Sequence, residues 1–242
     1  MKNVLVYLNP QKKFDTESDV LIKIQIDNSL DLGWERDDII LLTNFPYQYN
    51  GVEAKIVDYK GYCYFRPLST KTITFANYLE DTMPQEDELY FVHDLDAYQL
   101  EPIKPQDLAL TDNEDLALTD YGWSTKWCLG SYFVRGSATD IFRLLHGLIY
   151  QYKIEDERAL VAMTYGNIEN INSRIKKLNI SFQIGMREIA SNYQKANKPL
   201  KVVHFHPSKR KVLEMFMYGK NELRLPLLNS RLIKIFIKHG IK

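Results

Sequence analysis

The stretch Tyr90 to Gln99, YFVHDLDAYQ, begins as an apolar, β-prone run and ends on two aspartates one residue apart. A buried strand accommodates Tyr90 to Val92, but Asp94 and Asp96 carry charges that are almost never buried without a partner. Something positive is therefore expected where this strand stops. If the Asp-Leu-Asp segment is extended, period-two alternation puts both carboxylates on one side, facing a crevice, and leaves Leu95 to pack on the other.

Outward from this point the chain reads as alternating elements. VLVYL (4–8) is a first strand, and the segment from Asp15 to Trp34 carries Val20, Leu21, Ile24, Ile26, Leu30 and Leu32 in a mostly helical pattern that ends near Gly33. DDIILLTNF (37–45) and AKIVDY (54–59) are a second and third strand, separated by the turn-rich FPYQYNG. STKTITFANYLEDTM (69–83) is a helix opened by Ser69 or Thr70 and closed before Pro84. Strands that alternate with helices imply crossover connections and a mainly parallel sheet flanked by helices, an α/β fold whose binding crevice lies at the carboxyl ends of the strands. Asp94 and Asp96 stand at such an end.

Beyond them the hexapeptide DLALTD occurs twice, at 107–112 and 115–120; one copy is expected as a strand and the other as a surface insertion. CLGSYFVRGS (128–137) reads as a strand, DIFRLLHGLIYQY (140–152) as an amphipathic helix, and LKVVHFHP (200–207) as a short late strand. Alternation in that strand places Val202, His204 and His206 on one face.

With 242 residues, 45% of them hydrophobic, the chain is long enough to bury a large core. Only Cys63 and Cys128 occur, which suits a reducing compartment and leaves no cysteine framework for zinc or disulfides. No apolar run is long enough for a secretory h-region or a bilayer span, so a cytoplasmic protein is expected. The zero net charge hides an asymmetry: residues 1–157 hold 27 acidic and 14 basic side chains, residues 158–242 hold 4 and 17. Either the two parts attract each other or the last third meets a polyanion.

An apolar strand ending in Asp-x-Asp, preceded by alternating strands and helices and followed by Gly130-Ser131, the Glu155-Asp156-Glu157 triplet and a late strand ending in histidine, resembles the nucleotide-sugar glycosyltransferases of the GT-A fold. The resemblance spans roughly residues 1–210, with 211–242 as a basic helical extension packed on that domain. It implies transfer of a sugar from a nucleoside-diphosphate sugar, a UDP-sugar first, assisted by Mn²⁺ or Mg²⁺. Asp96 would be the direct metal ligand, Asp94 would reach the ribose, a water or the metal, and His206, nearest the strand end, is preferred to His204 as the late ligand. The end of the first strand, Leu8 and Asn9, would lie beneath the nucleobase with Tyr7 or Tyr49 able to stack on it. Lys71, at a helix start, would meet phosphate. Gly130 and Ser131 would let the backbone approach the donor sugar, with Arg135 within reach. If the reaction inverts, Asp156 or Glu157 would accept the proton of the acceptor hydroxyl.

The basic third suggests the acceptor. Lys209, Arg210 and Lys211, among aromatic residues, suit a phosphodiester backbone and an extruded base, which favours DNA carrying hydroxymethylated pyrimidines, as in viral base modification. A polysaccharide or lipid-linked acceptor is the alternative, with SRLIKIFIKHGIK (230–242) as a peripheral membrane surface. A non-catalytic nucleotide-sugar or nucleic-acid binding module is a second alternative.

Overall fold

The computed structural model describes residues 1–120, 126–185, 189–205 and 227–241. The apolar runs become the strands of an eight-stranded sheet: β1 (Lys2–Tyr7), β2 (Ile39–Thr43), β3 (Gln48–Tyr49), β4 (Val52–Ile56), β5 (Leu89–His93), β7 (Leu116–Asp120), β8 (Trp127–Arg135) and β9 (Ile175–Leu178), in the spatial order β3-β4-β2-β1-β5-β8-β7-β9. β4, β2, β1 and β5 run parallel, while β8 returns antiparallel between β5 and β7. Every residue of β2 and β5 is buried, as expected for strands covered on both faces. Of the two DLALTD copies, the second forms β7, whereas the first forms a 3₁₀ turn from Pro105 to Leu108 and a loop.

Helices cover both faces. α1 (Thr16–Asp31) is capped by Asp15, which accepts from the Ser18 backbone N–H at 2.7 Å, and the chain leaves it through Gly33 at φ +88°, a conformation that favours glycine. On the other face α2 (Thr70–Thr82) packs against α3 (Thr139–Tyr152), with Phe75 and Phe142 edge to face at 5.3 Å. α4 (Asp156–Tyr165) buries Ala159, Leu160 and Met163 in the same core.

A second sheet of three short strands decides the position of the site. β6 (Ala97–Gln99) follows the aspartates, β11 (Val202–His204) pairs with it antiparallel, and β10 (Ile184–Gly185) adds parallel to β11. The register sets His204 opposite Ala97 and Gly185 beside His204. A short helix α5 (Ile189–Lys195) lies between β10 and β11 in sequence. The last helix, α6 (Ser230–Lys238), lays Leu232 and Phe236 into a core shared with Leu21, Ile24 and Tyr98. Lys238 and His239 each reach Asp27 of α1 at 2.7 Å. The apolar face of SRLIKIFIK is thus spent on packing. Among the described residues no helix is long and apolar enough to cross a membrane.

Candidate active site at the end of the parallel strands

β5 ends at His93, and the Asp-Leu-Asp segment forms a turn rather than continuing the strand, closed by the Ala97 N–H donating to the Asp94 carbonyl at 3.1 Å. This corrects the extended geometry expected from the sequence. Leu95 still packs, against the cores beneath α1, and its carbonyl accepts from Gln25 Nε2 at 2.9 Å. Both carboxylates instead turn toward β11, where His204 Nε2 lies 3.3 Å from Asp96 Oδ1 and 3.6 Å from Asp94 Oδ2. One ligand atom from each of Asp94, Asp96 and His204 fits within 4.8 Å of the others.

The three differ in access. Asp96 and His204 are buried, whereas the Asp94 side chain is 36% exposed and forms the open edge. Asp96 Oδ2 is sealed from solvent with no hydrogen-bond partner among the described residues. A buried carboxylate oxygen left without a donor is costly, and a divalent cation is what such an oxygen accepts. Burial opposes charge on His204, but Asp96 and Asp94 outweigh it and raise its pKa above the ordinary imidazole value.

Lys71, 8% exposed in the first turn of α2, supplies the positive charge that the aspartate pair calls for. Its Nζ lies 2.5 Å from Asp94 Oδ1 and 2.5 Å from the Leu129 carbonyl, over the ring of Tyr132 at 5.5 Å. Next to it, Asp156 is held at the start of α4 by three contacts. Its N–H donates to Ser69 Oγ at 3.1 Å, its Oδ2 accepts from Thr72 Oγ1 at 2.5 Å, and its Oδ1 accepts from the Glu157 N–H at 3.0 Å. Ser69 therefore ties α2 to α4 instead of capping its own helix. Burial pushes Asp156 up to about 6, against the hydrogen bond from Thr72 and the charge of Lys71. Glu157 is only partly buried and accepts from the Leu129 N–H at 3.0 Å.

Gly130 meets the site differently from expectation. Its carbonyl accepts from the Asp94 N–H at 2.8 Å, and a Cβ on it would lie 2.3 Å from His204 Cε1, so glycine here makes room for the imidazole. Ser131 is buried and donates its hydroxyl to the Phe182 carbonyl at 3.2 Å. Arg135 sits at the opposite end of β8, bonded to the Thr111 carbonyl, and does not reach the site. His93 is core: burial lowers it to about 4, and its ring stacks on Phe91 at 4.5 Å.

Leu8, Asn9 and Lys71 line one cleft of about 340 Å³ together with Tyr7, Tyr62 and Leu68. Asn9 is fixed there by Asn44, which accepts from its N–H at 2.9 Å and donates to its carbonyl at 2.8 Å. Tyr7 stacks on Phe14 at 4.6 Å and donates to Asp15. Tyr49, the other stacking candidate, instead donates to Asp27 beside α6 and lies outside the cleft. A larger groove of about 830 Å³ opens at the other end of the sheet, around Met1, Met83 and Arg135, away from the aspartates. His206, Lys209, Arg210 and Lys211 lie outside the described residues. Gln183 and Thr72 belong to the site without any sequence signal having marked them.

No family model and no curated relative matches the sequence. Solved structures do resemble the fold. The chain is similar to the galactosyltransferase LgtC in complex with donor and acceptor sugar analogues, at TM-score 0.57 and 13% identity, covering 98% of this chain and 96% of that one. It is also similar to a glycosyltransferase involved in glycosylation of the major capsid of PBCV-1, at TM-score 0.57 and 11% identity over 88% and 97%. Mouse xyloside xylosyltransferase 1 is a third, at TM-score 0.51 and 8% identity over 85% and 97%. The chain has the GT-A glycosyltransferase fold.

Proposed function

We propose that this chain transfers a sugar from a nucleoside-diphosphate sugar, a UDP-sugar foremost, to an acceptor hydroxyl, with a divalent cation held by Asp94, Asp96 and His204. The observation that carries this reading is the clustering of those three side chains at the end of β5, beside the cleft that opens from β1. Two carboxylate oxygens and one imidazole nitrogen suit Mn²⁺ better than Mg²⁺, which prefers oxygen alone. When bound, the ion neutralises charge on the diphosphate as it leaves. Lys71 adds a fixed ammonium to the lining of the same cleft, and Leu8 and Asn9 form the floor for the nucleotide. Glu157, the less buried of the two acidic candidates, takes the acceptor proton in this reading, while Asp156 holds α2 and α4 together behind Lys71.

The way positive charge is spent bears on the acceptor. Among the described residues, seven cations of the last third pair with acids of residues 1–157: Arg158 with Glu155, Arg174 with Asp115 and Asp140, Lys176 with Glu114, Lys177 with Asp120, Lys201 with Asp107, Arg231 with Asp31 and Lys238 with Asp27. Mutual attraction accounts for much of the asymmetry, so a glycan or lipid-linked hydroxyl ranks ahead of DNA in our reading. DNA then depends on Lys209, Arg210 and Lys211.

Thermal stability against a panel of nucleotides, with and without Mn²⁺, tests the reading. A nucleoside diphosphate should stabilise the chain only with the ion present, and UDP-sugar hydrolysis should follow the same dependence. Binding indifferent to metal and no hydrolysis would leave a binding module. Salt-sensitive retention on duplex DNA, abolished by replacing Lys209, Arg210 and Lys211 with alanine, would restore the DNA acceptor.

A further inference from the structure

The repeated hexapeptide DLALTD has no part in the sugar-transfer reading, yet its two copies suit the same place in the sheet. The second copy fills β7, between β8 and β9. Both of its aspartates are anchored: Asp115 accepts from Ser137 Oγ and from Arg174 Nε at 2.5 Å, and Asp120 accepts from Lys177 Nζ at 2.8 Å. Between them Leu116, Ala117, Leu118 and Thr119 are buried. The first copy, Asp107 to Asp112, repeats all six side chains in the same order. Chain displaced by eight residues therefore carries every side chain that these contacts need.

Where it stands, the first copy is held out of a strand at a cost. Ala109 sits in the left-handed region at φ +47°, a conformation that L side chains rarely adopt. Its anchors are few: Leu108 is buried in one cluster with Ala117 and Phe133, Asp107 pairs with Lys201 at 3.1 Å, and Arg135 Nη1 donates to the Thr111 carbonyl at 3.0 Å.

We propose that β7 has two interchangeable occupants and that the chain exchanges between them: a major register with residues 116–120 in the strand, and a minor one with residues 108–112. In the minor register Asp107 takes over Arg174 and Ser137, Asp112 takes over Lys177, and Leu108 to Thr111 refill the core. Ala109 leaves its left-handed conformation. The chain from Leu100 then has seven steps to reach Asp107, up to about 25 Å when extended, and Pro102 and Pro105 favour extended backbone ahead of them. That path lies within one packed cluster, since Ala97, Leu108, Ala117 and Val202 share a core. The minor register gives up the burial of Ile103, the present place of Leu108 and the Lys201 ion pair, so it holds roughly 0.1–10% of molecules.

The shift passes eight residues from one end of the sheet to the other. β7 starts where the Arg135 N–H donates to the Asp115 carbonyl, and Arg135 lines the large groove together with Ala109 and Leu110. It finishes opposite Trp127, two residues before Leu129, whose carbonyl accepts from Lys71. In the minor register the first copy leaves the groove, and the connection from β7 to β8 grows from residues 121–126 to residues 113–126, at the end of the sheet that carries the aspartates.

Ala109 and Ala117 are the same position of the two copies, one exposed and one buried, so a charge placed on each tests one register at a time. Ala117→Asp blocks the major register, because an unpaired carboxylate is costly inside a strand buried on both faces. Ala109→Asp blocks the minor register and spares the major one, because aspartate tolerates a left-handed backbone in solvent. Ala117→Asp should fold, with hydrogen exchange showing protected amides at 108–111 in place of 116–119. Adding Ala109→Asp to it should abolish the cooperative melt. In the otherwise natural chain, Ala117→Cys places a thiol that is buried in the major register and exposed in the minor one. Its maleimide labelling, resolved by peptide mass spectrometry from that of the buried Cys63 and Cys128, should slow roughly tenfold when Ala109→Asp is added without a change in Tm. An unchanged labelling rate overturns the proposal, and so does a folded Ala117→Asp that keeps its protection at 116–119. If Ala117→Asp does not fold, the labelling rate decides.

Discussion

Replacing Asp156 with asparagine removes a buried charge from the site while keeping its shape. The Asn oxygen can accept the Glu157 N–H, and its NH₂ can donate to Thr72 Oγ1, because a hydroxyl accepts as readily as it donates. What changes is the burial of an anion. Burial raises the carboxyl from 3.8 to about 6, with Thr72 and Lys71 pulling the other way. A carboxylate pKa that is higher in the folded state than in the unfolded chain means the folded state holds the proton more tightly. The stability tied to that proton is complete below about pH 4 and is lost as pH rises through about 6. This displacement converts to about 3 kcal/mol of destabilisation at pH 7 and about half of that at pH 5. Asp156→Asn should therefore be more stable than wild type at pH 7, by roughly 6–12 °C in Tm for a chain of this length. The advantage should shrink steadily on acidification and vanish near pH 4. Differential scanning calorimetry of both proteins across that range is the assay. A variant no more stable than wild type at pH 7, or an advantage that does not depend on pH, would refute the assignment of Asp156 as a buried, strained anion.

Other perturbations address the metal side. Asp96→Ala should leave the fold intact and abolish Mn²⁺-dependent nucleotide binding, measured by calorimetry, because it removes a carboxylate oxygen that is buried without a donor among the described residues. His204→Ala should weaken Mn²⁺ binding more than His206→Ala, and the same titration on both variants ranks the two histidines. Gly130→Ala should cost roughly 1–3 kcal/mol of stability and reduce Mn²⁺ affinity together, since its Cβ would lie 2.3 Å from the His204 ring; calorimetry and thermal melts read both. Lys71→Met should lower nucleoside-diphosphate affinity about tenfold, the loss of one charge-assisted contact. Asp94, already part exposed, should tolerate the loss of its partner, which melts will show as a small change in Tm.

The sheet was legible because its strands are made by local chemistry. Val4 to Tyr7, Ile39 to Leu42 and Tyr90 to Val92 are uninterrupted apolar runs, and such runs fit strands buried on both faces. The Asp15 cap and Gly33 stop likewise marked α1 within its own sequence. AKIVDY and LKVVHFHP marked β4 and β11, but β3 and the other two strands of the small sheet were not legible. β6 and β10 have three and two residues, too few for any period to show, and they exist because β11 offers them a partner. The turn at Asp94 to Asp96 was misjudged for the same reason: β-propensity continues through Leu95, but pairing with β8 ends at His93 and pairing with β11 begins at Ala97, so the chain must turn between them.

That short second sheet also explains why the sequence left two histidines as candidates for the late ligand. Alternation puts His204 and His206 on one face, and nearness to the strand end argued for His206. What sets His204 against the aspartates is register, which is long-range: His204 stands opposite Ala97, and the Phe205 N–H donates to the Asp96 carbonyl at 3.0 Å, so the backbone of β11 is clamped to the aspartate turn at the level of His204. The same clamp brings Gln183 to the back of that ring, since β10 pairs with β11 one residue after it. A one-residue slip in β11 would turn Val203 or Phe205 toward the aspartates and leave Asp96 without its histidine. The apolar burial of Val203 and Phe205 in the core shared with Tyr98 and Phe236 opposes that slip. The residues that fix His204 against the aspartates are therefore the hydrophobic ones on the other face of the strand.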